Sequence, residues 1–273
     1  MQSITKGCEN LGYTGAAMDK LIGGMSHDLL SWAGFMHAVC LILSVRRGGL
    51  LWMGPPCGNF IWMSRAATKR TISNPLGTGP KAKIANLLTS RWVFLAWLAN
   101  AIGIYVIIEQ PESSILWEHP DVKELLRLMP NLCTVATEMG AFGSNVRKRL
   151  CLKGTPPWLP HLSRKCSWKD RVRITLHRGK HGLVRRGINK AGKPTATGIG
   201  NLTASAAYPK EFGKLVGIQF SKFCLQSGFG TDGRPVVVKD FDGAAGLVLP
   251  AGTFDDVWQR MRYNDEGDAN FRN

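Results

Sequence analysis

Twice in the first half of this chain a strand-length apolar run ends at proline, with a helix-length stretch between the two. Leu50-Leu51-Trp52-Met53 stops at Gly54-Pro55-Pro56, and Ile104-Tyr105-Val106-Ile107-Ile108 runs into Glu109-Gln110-Pro111. Proline has no backbone N–H and a fixed φ, so a strand ladder does not continue through it. Runs this apolar belong to strands covered on both faces, as in a parallel sheet. The stretch between them, from about Lys81 to Ala101, reads as a helix. Strand, helix, strand in that order is the signature of a parallel α/β sheet. Cys57 then sits on the stiff turn after the first strand and Glu109 at the tip of the second. Open α/β sheets bind their ligands at that carboxyl edge.

The alternation extends in both directions. Ser3 to Leu11 reads as the end of a helix, and Gly12 to Asp19 as a short strand finishing in an acid. Asp28 precedes an apolar-periodic helix reaching about Ser44, closed by Arg46-Arg47-Gly48-Gly49. A helix from His119 to Leu128, a strand at Cys133–Thr137 and a strand through Gly143–Leu152 follow. Arg171 to His177 alternates with period two, as strands do, and His177 to Gly182 reads as a tight turn. Ala204 to Ser227 is helical by pattern. Beyond it lie a candidate strand at Pro235–Val238, a short helix near Asp255–Met261 and a tail expected to be disordered. This organises the chain as a core over 1–153, an insert over 154–203, a returning helix over 204–227 and an extension over 228–273.

Charge separates these parts. The chain carries a net charge of +16 from 35 Lys and Arg against 19 Asp and Glu, which implies an anionic partner, most simply nucleic acid. Fifteen of the cations, against the single acid Asp170, lie between Ser144 and Pro194. A solvated charged face normally mixes both signs, and this one does not. Five more cations (Arg65, Lys69, Arg70, Lys81 and Lys83) and no acid lie between Gly54 and Ala85. Within that stretch residues 58–80 read as a mobile binding loop.

Seven cysteines without a C-x-x-C pair argue for an intracellular, reducing compartment and against a disulfide framework. Cys151, His161, Cys166, His177 and His181 fit no zinc spacing, so no metal is expected. The apolar run Trp92–Ile108 is shorter than a membrane span and contains Asn100 and Gly103, so no membrane association is expected.

Pro56-Cys57, Glu109-Gln110-Pro111 and Asn145-Val146-Arg147-Lys148-Arg149 together resemble the cytosine-5 DNA methyltransferases. Those enzymes carry Pro-Cys, Glu-Asn-Val or Glu-Asn-Pro, and Gln-x-Arg-x-Arg motifs in this order. The resemblance covers roughly residues 12–152. It implies an α/β fold, a Rossmann-like S-adenosylmethionine-dependent methyltransferase sheet, with 154–203 as a basic target-recognition insert. Cys57 would be the nucleophile that adds to cytosine carbon 6. Glu109 would hold ring nitrogen 3 protonated, Arg149 would meet the base carbonyl, and Arg147 would support the site. S-adenosylmethionine would lie against Asp19, Asp28, Pro55 and Pro56. Nucleic acid, expected to be DNA, would be gripped by Arg65, Lys69, Arg70, Arg171, Arg173, Arg178, Arg185 and Arg186.

The sequence departs from the family at Gly58, Gln110 and Asn145, where the family often has Gln, Asn and Gln. The family's first strand and Phe-x-Gly-x-Gly-type loop are not found ahead of residue 3, so the fold is expected to be N-terminally truncated. Two alternatives stay open: a catalytically inactive nucleic-acid-binding relic of such an enzyme, and an RNA cytosine methyltransferase using the same chemistry.

Overall fold

A computed structural model describes residues 3–178, 184–188, 192, 194–198 and 207–228. In chain order the helices are α1 (Ser3–Glu9), α2 (Lys20–Gly23), α3 (Trp32–Ser44), α4 (Arg65–Thr68), α5 (Pro80–Ala101), α6 (Pro120–Leu128), α7 (Trp168–Arg178) and α8 (Lys210–Gln226). The strands are β1 (Leu50–Met53), β2 (Tyr105–Pro111), β3 (Cys133–Glu138), β4 (Arg149–Gly154), β5 (Val184–Ile188) and β6 (Pro194–Gly198). The fold is mixed α/β, with a four-stranded mixed sheet and a two-stranded one. The chain forms two compact units that do not follow chain order.

One unit holds Met18–Cys133 and Lys153–Pro156. There β1 pairs in parallel with β2, Leu50 opposite Tyr105 and Met53 opposite Ile108. Val106, Ile107 and Ile108 are fully buried, as a strand covered on both faces requires. The other edge of β2 meets Thr155, whose N–H donates to the Val106 carbonyl at 3.0 Å and whose hydroxyl accepts from the Val106 N–H at 3.1 Å. Helix α5 makes the crossover. It starts on Pro80, where a missing N–H costs nothing, and presents Trp92, Leu95, Ala96 and Ala99 to the core. The turn back into β2 needs φ of +81° at Gly103.

Helix α3 lies against α5, with Phe35 and Phe94 ring centroids 5.7 Å apart. Its cap is Ser31, whose hydroxyl accepts the Gly34 N–H at 2.9 Å; Asp28 lies one turn earlier. The expected strand at residues 12–19 does not form. That segment has no regular structure, and its last residue, Asp19, caps α2 instead.

The other unit holds residues 3–17, 134–152 and the described residues from 157 to 228. Its β3 and β4 are sheet neighbours. In the segment that joins them Met139 N–H donates to Lys148 O and Gly140 N–H to Arg147 O. The expected strand through 143–152 is shorter, beginning at Arg149. Helix α8 crosses α1 with its backbone nearly touching. A Cβ on Gly213 would lie 2.0 Å from Ser3 O, and one on Gly7 would lie 2.1 Å from Gly213 O. Phe212 and Phe220 on α8 stack against Phe142 and Tyr13, each with ring centroids 5.0 Å apart.

Residues 171–177 are not a strand but part of α7. Ser167 and Asp170 close a reciprocal capping box, Asp170 accepting the Ser167 N–H at 2.9 Å and Ser167 accepting the Asp170 N–H at 3.2 Å. Beyond α7, β5 and β6 form an antiparallel pair, Arg185 opposite Thr197 and Arg186 opposite Ala196. The turn expected to end at Gly182 lies largely outside the described residues, and residues 204–206 of the expected returning helix lie wholly outside them, as do the candidate strand at 235–238, the helix at 255–261 and the tail. Among the described residues no single helix is both long and apolar enough to cross a membrane.

Candidate functional site

The parallel register carries Cys57 and Glu109 to the same edge. Met53 and Ile108 form the final pair of the ladder, so Glu109 is the next residue along β2. After Met53 the chain passes Gly54 and the two prolines and enters a tight helical turn, Cys57–Asn59, at the cysteine. Pro56 has φ −56°, fixed by its ring, and the Cys57 carbonyl accepts the Phe60 N–H at 2.9 Å.

Two hydrogen bonds tie the segments that follow the strands. The Gln110 side-chain amide donates to the Pro55 carbonyl at 2.5 Å, and the Ile115 N–H donates to the Phe60 carbonyl at 2.9 Å. Gln110 is itself held, its amide oxygen accepting the Ser114 hydroxyl at 3.0 Å. Cys57 is half-buried and Glu109 is 7% exposed. A sulfur on a rigid turn and a carboxyl on the neighbouring strand can serve as nucleophile and proton carrier. Gln110 thus has a structural task that the motif comparison does not reveal.

Arg147 and Arg149 belong to the other unit, where both meet Glu138 at the end of β3. Arg147 donates twice to Glu138 Oε1, at 2.6 and 3.0 Å, and Arg149 Nε lies 3.4 Å from the same oxygen. The second carboxylate oxygen accepts the Cys166 N–H at 2.8 Å. The Arg147 hydrogen bond, outweighing burial and reinforced by Cys166, holds the Glu138 carboxyl well below its ordinary value, at about 2. Burial, and then Glu138 itself, push the Cys166 thiol up to about 11. Glu138 was not anticipated. The signal was present, since an acid at the end of a strand had already singled out Glu109.

The acids expected on the cofactor are engaged within the protein. Asp19 accepts the Leu21 N–H at 2.8 Å as the cap of α2. Asp28 is buried, accepts the Leu30 N–H at 3.0 Å and pairs with Lys20 at 2.5 Å. Burial raises its pKa, but the Lys20 and Leu30 hydrogen bonds and the Lys20 and Arg91 charges outweigh that, and the net shift is downward. Buried Arg91 reinforces this corner by donating to the Leu29 and Leu30 carbonyls at 2.9 and 2.6 Å. The Pro55 carbonyl is taken by Gln110. Asp19, Asp28 and the Pro55 carbonyl thus each hold a bond within the protein.

The cations divide into two kinds. Arg65 and Lys69 are exposed. Arg70 is 1% exposed, so the expectation that it grips phosphate is corrected. Its guanidinium donates to the Pro75 and Ala82 carbonyls and to Asn86 Oδ1, and lies 4.1 Å from the Phe60 ring centroid. Burial lowers its pKa to about 10. It organises the segment that was expected to be a structureless loop, which contains α4 and two helical turns.

Arg173 is likewise spent internally, on the carbonyls of Gly140, Gly143 and Ser144 at 2.7 to 3.0 Å. Arg171 is exposed. Arg178 ends α7, and Arg185 and Arg186 lie on β5. Among the described residues no three of His, Cys, Asp and Glu come together as a metal site.

Comparison with known proteins finds no matching family model, no matching curated protein and no matching solved structure.

Proposed function

We propose that this chain performs covalent chemistry on cytosine in DNA, transferring a methyl group to carbon 5 through an adduct at Cys57. The observation that supports it is the register of β1 and β2, which delivers a cysteine and a carboxyl to one sheet edge on segments joined by the Gln110–Pro55 bond. The Cys57 thiolate forms a bond to carbon 6, and the electron pair of the carbon 5–carbon 6 double bond moves to carbon 5. Glu109 keeps nitrogen 3 protonated as charge spreads into the ring. Carbon 5 is then the nucleophile towards a methyl group whose bond to the donor's sulfonium sulfur would break. A base then takes the carbon 5 proton, and that C–H electron pair restores the carbon 5–carbon 6 double bond as the bond from carbon 6 to the Cys57 sulfur breaks. Such a base must leave the duplex stack to be reached. S-adenosylmethionine would supply the methyl group; the roles of Arg147 and Arg149 rest on the motif resemblance.

Incubation with a fluorinated-cytosine duplex and S-adenosylmethionine should trap a covalent complex, and Cys57→Ser should abolish it. A complex surviving that substitution places the nucleophile elsewhere. The engagement of Asp19 and Asp28 favours a second reading, a nucleic-acid-binding relative that takes no cofactor. Calorimetric titration with S-adenosylmethionine separates the two, since heat of binding is expected only for the enzyme. Competition between DNA and RNA duplexes decides which polymer is preferred.

A further inference from the structure

Outside that site, one feature that folding alone does not account for is the outward face of α7. Trp168 is 76% exposed, Val172 36% and Leu176 79%, at successive fourfold spacings along the helix. They form one apolar stripe, about 12 Å long at 1.5 Å per residue. It points away from the buried side, which is represented by Ile174 at 5%. Exposed apolar stripes of this kind mark interaction sites.

The surroundings identify the partner. On the helical wheel Lys169 borders the stripe on one side and Arg171 on the other, both exposed. The one acid of the helix, Asp170, is spent on Ser167 and Arg173. A shallow groove of about 560 Å³ runs along the stripe and is lined also by Asn145 and His177. The two side chains meet at 3.0 Å, an amide beside an imidazole. An apolar strip with cations on both flanks matches a strand whose bases face inward and whose phosphates lie outside. A paired duplex hides its base faces. A lipid surface would make no use of an amide and an imidazole that can hydrogen-bond base edges.

We propose that this face of α7 docks an unpaired stretch of nucleic acid, with a base stacked on the Trp168 indole and phosphates met by Lys169 and Arg171. It stands apart from methyl transfer, because binding is read without any reaction, and a protein inert on cytosine still tests it.

The experiment is fluorescence anisotropy of the full chain with a labelled oligothymidylate, with a blunt duplex of equal length as comparison. Trp168→Ala should weaken oligothymidylate binding by between about fivefold and about 150-fold, the range of one base–aromatic stack. Trp168→Phe should retain most of the affinity, and should lose a quenching of tryptophan emission that the wild type shows on binding. Lys169→Ala with Arg171→Ala should shallow the salt dependence, by about 0.7 in log–log slope for each phosphate no longer neutralised. Trp168 is so exposed that unfolding curves of its variants should overlay the wild type. Equal oligothymidylate binding by Trp168→Ala and wild type overturns the proposal. So does Trp168-dependent binding confined to the duplex, to anionic vesicles or to an acidic peptide.

Discussion

Glu138, 4% exposed, accepts from Arg147 and a backbone N–H and pairs with Arg149. Its folded pKa, about 2, lies below the ordinary 4.5, so the stabilisation is fully present above about 4.5 and is lost as pH falls toward about 2. Glu138→Gln should therefore be less stable than wild type at neutral pH, with the gap closing through that window. Denaturant midpoints measured against pH would show it, and parallel profiles would contradict it. Arg70 makes the complementary case, a cation that serves the fold. Arg70→Met keeps the bulk but strands the Pro75, Ala82 and Asn86 acceptors, and should cost about 1–3 kcal/mol of stability. Nucleic-acid affinity and its salt slope should hardly change, whereas neutralising exposed Arg65 and Lys69 should shallow the slope. A folded Arg70→Met protein that loses affinity as Arg65 and Lys69 variants do would contradict this division.

At the scale of elements, the close approach of α1 and α8 depends on having no side chain at Gly7, Gly213 and Gly217. A methyl at Gly213 meets backbone, which cannot rotate aside, so Gly213→Ala should cost about 1–3 kcal/mol as the helices separate. Thermal unfolding checks it; an unchanged midpoint would mean the crossing yields freely.

Which elements were legible in the sequence follows from what holds them. β1, β2, α3, α5 and α6 were readable because apolar periodicity and proline stops act locally. Residues 171–177 misled because alternation predicts a strand only where a neighbouring strand exists to pair with. α7 is instead set by the Ser167–Asp170 box, a local signal that was outweighed by the pattern. Cys57 and Glu109 were found because their strands end in prolines. The anchoring of Arg70 and Arg173, and the engagement of Asp28 by Lys20, depend on side-chain partners that a linear pattern cannot supply.

Over the whole molecule, an excess of cations would draw in a polyanion without choosing it, and under the proposed function the chemistry would come from the sheet edge. The step closest to the central claim is addition of the sulfur to cytosine carbon 6, since it makes carbon 5 exchange its hydrogen with water even with no methyl donor present. Release of tritium from DNA labelled at cytosine carbon 5 measures that step alone. The wild-type chain should release tritium, Glu109→Gln should slow release by about 10²-fold or more, and Cys57→Ser should abolish it. Release that continues undiminished in Cys57→Ser, or none from the wild type on duplex or single-stranded substrate, would contradict it.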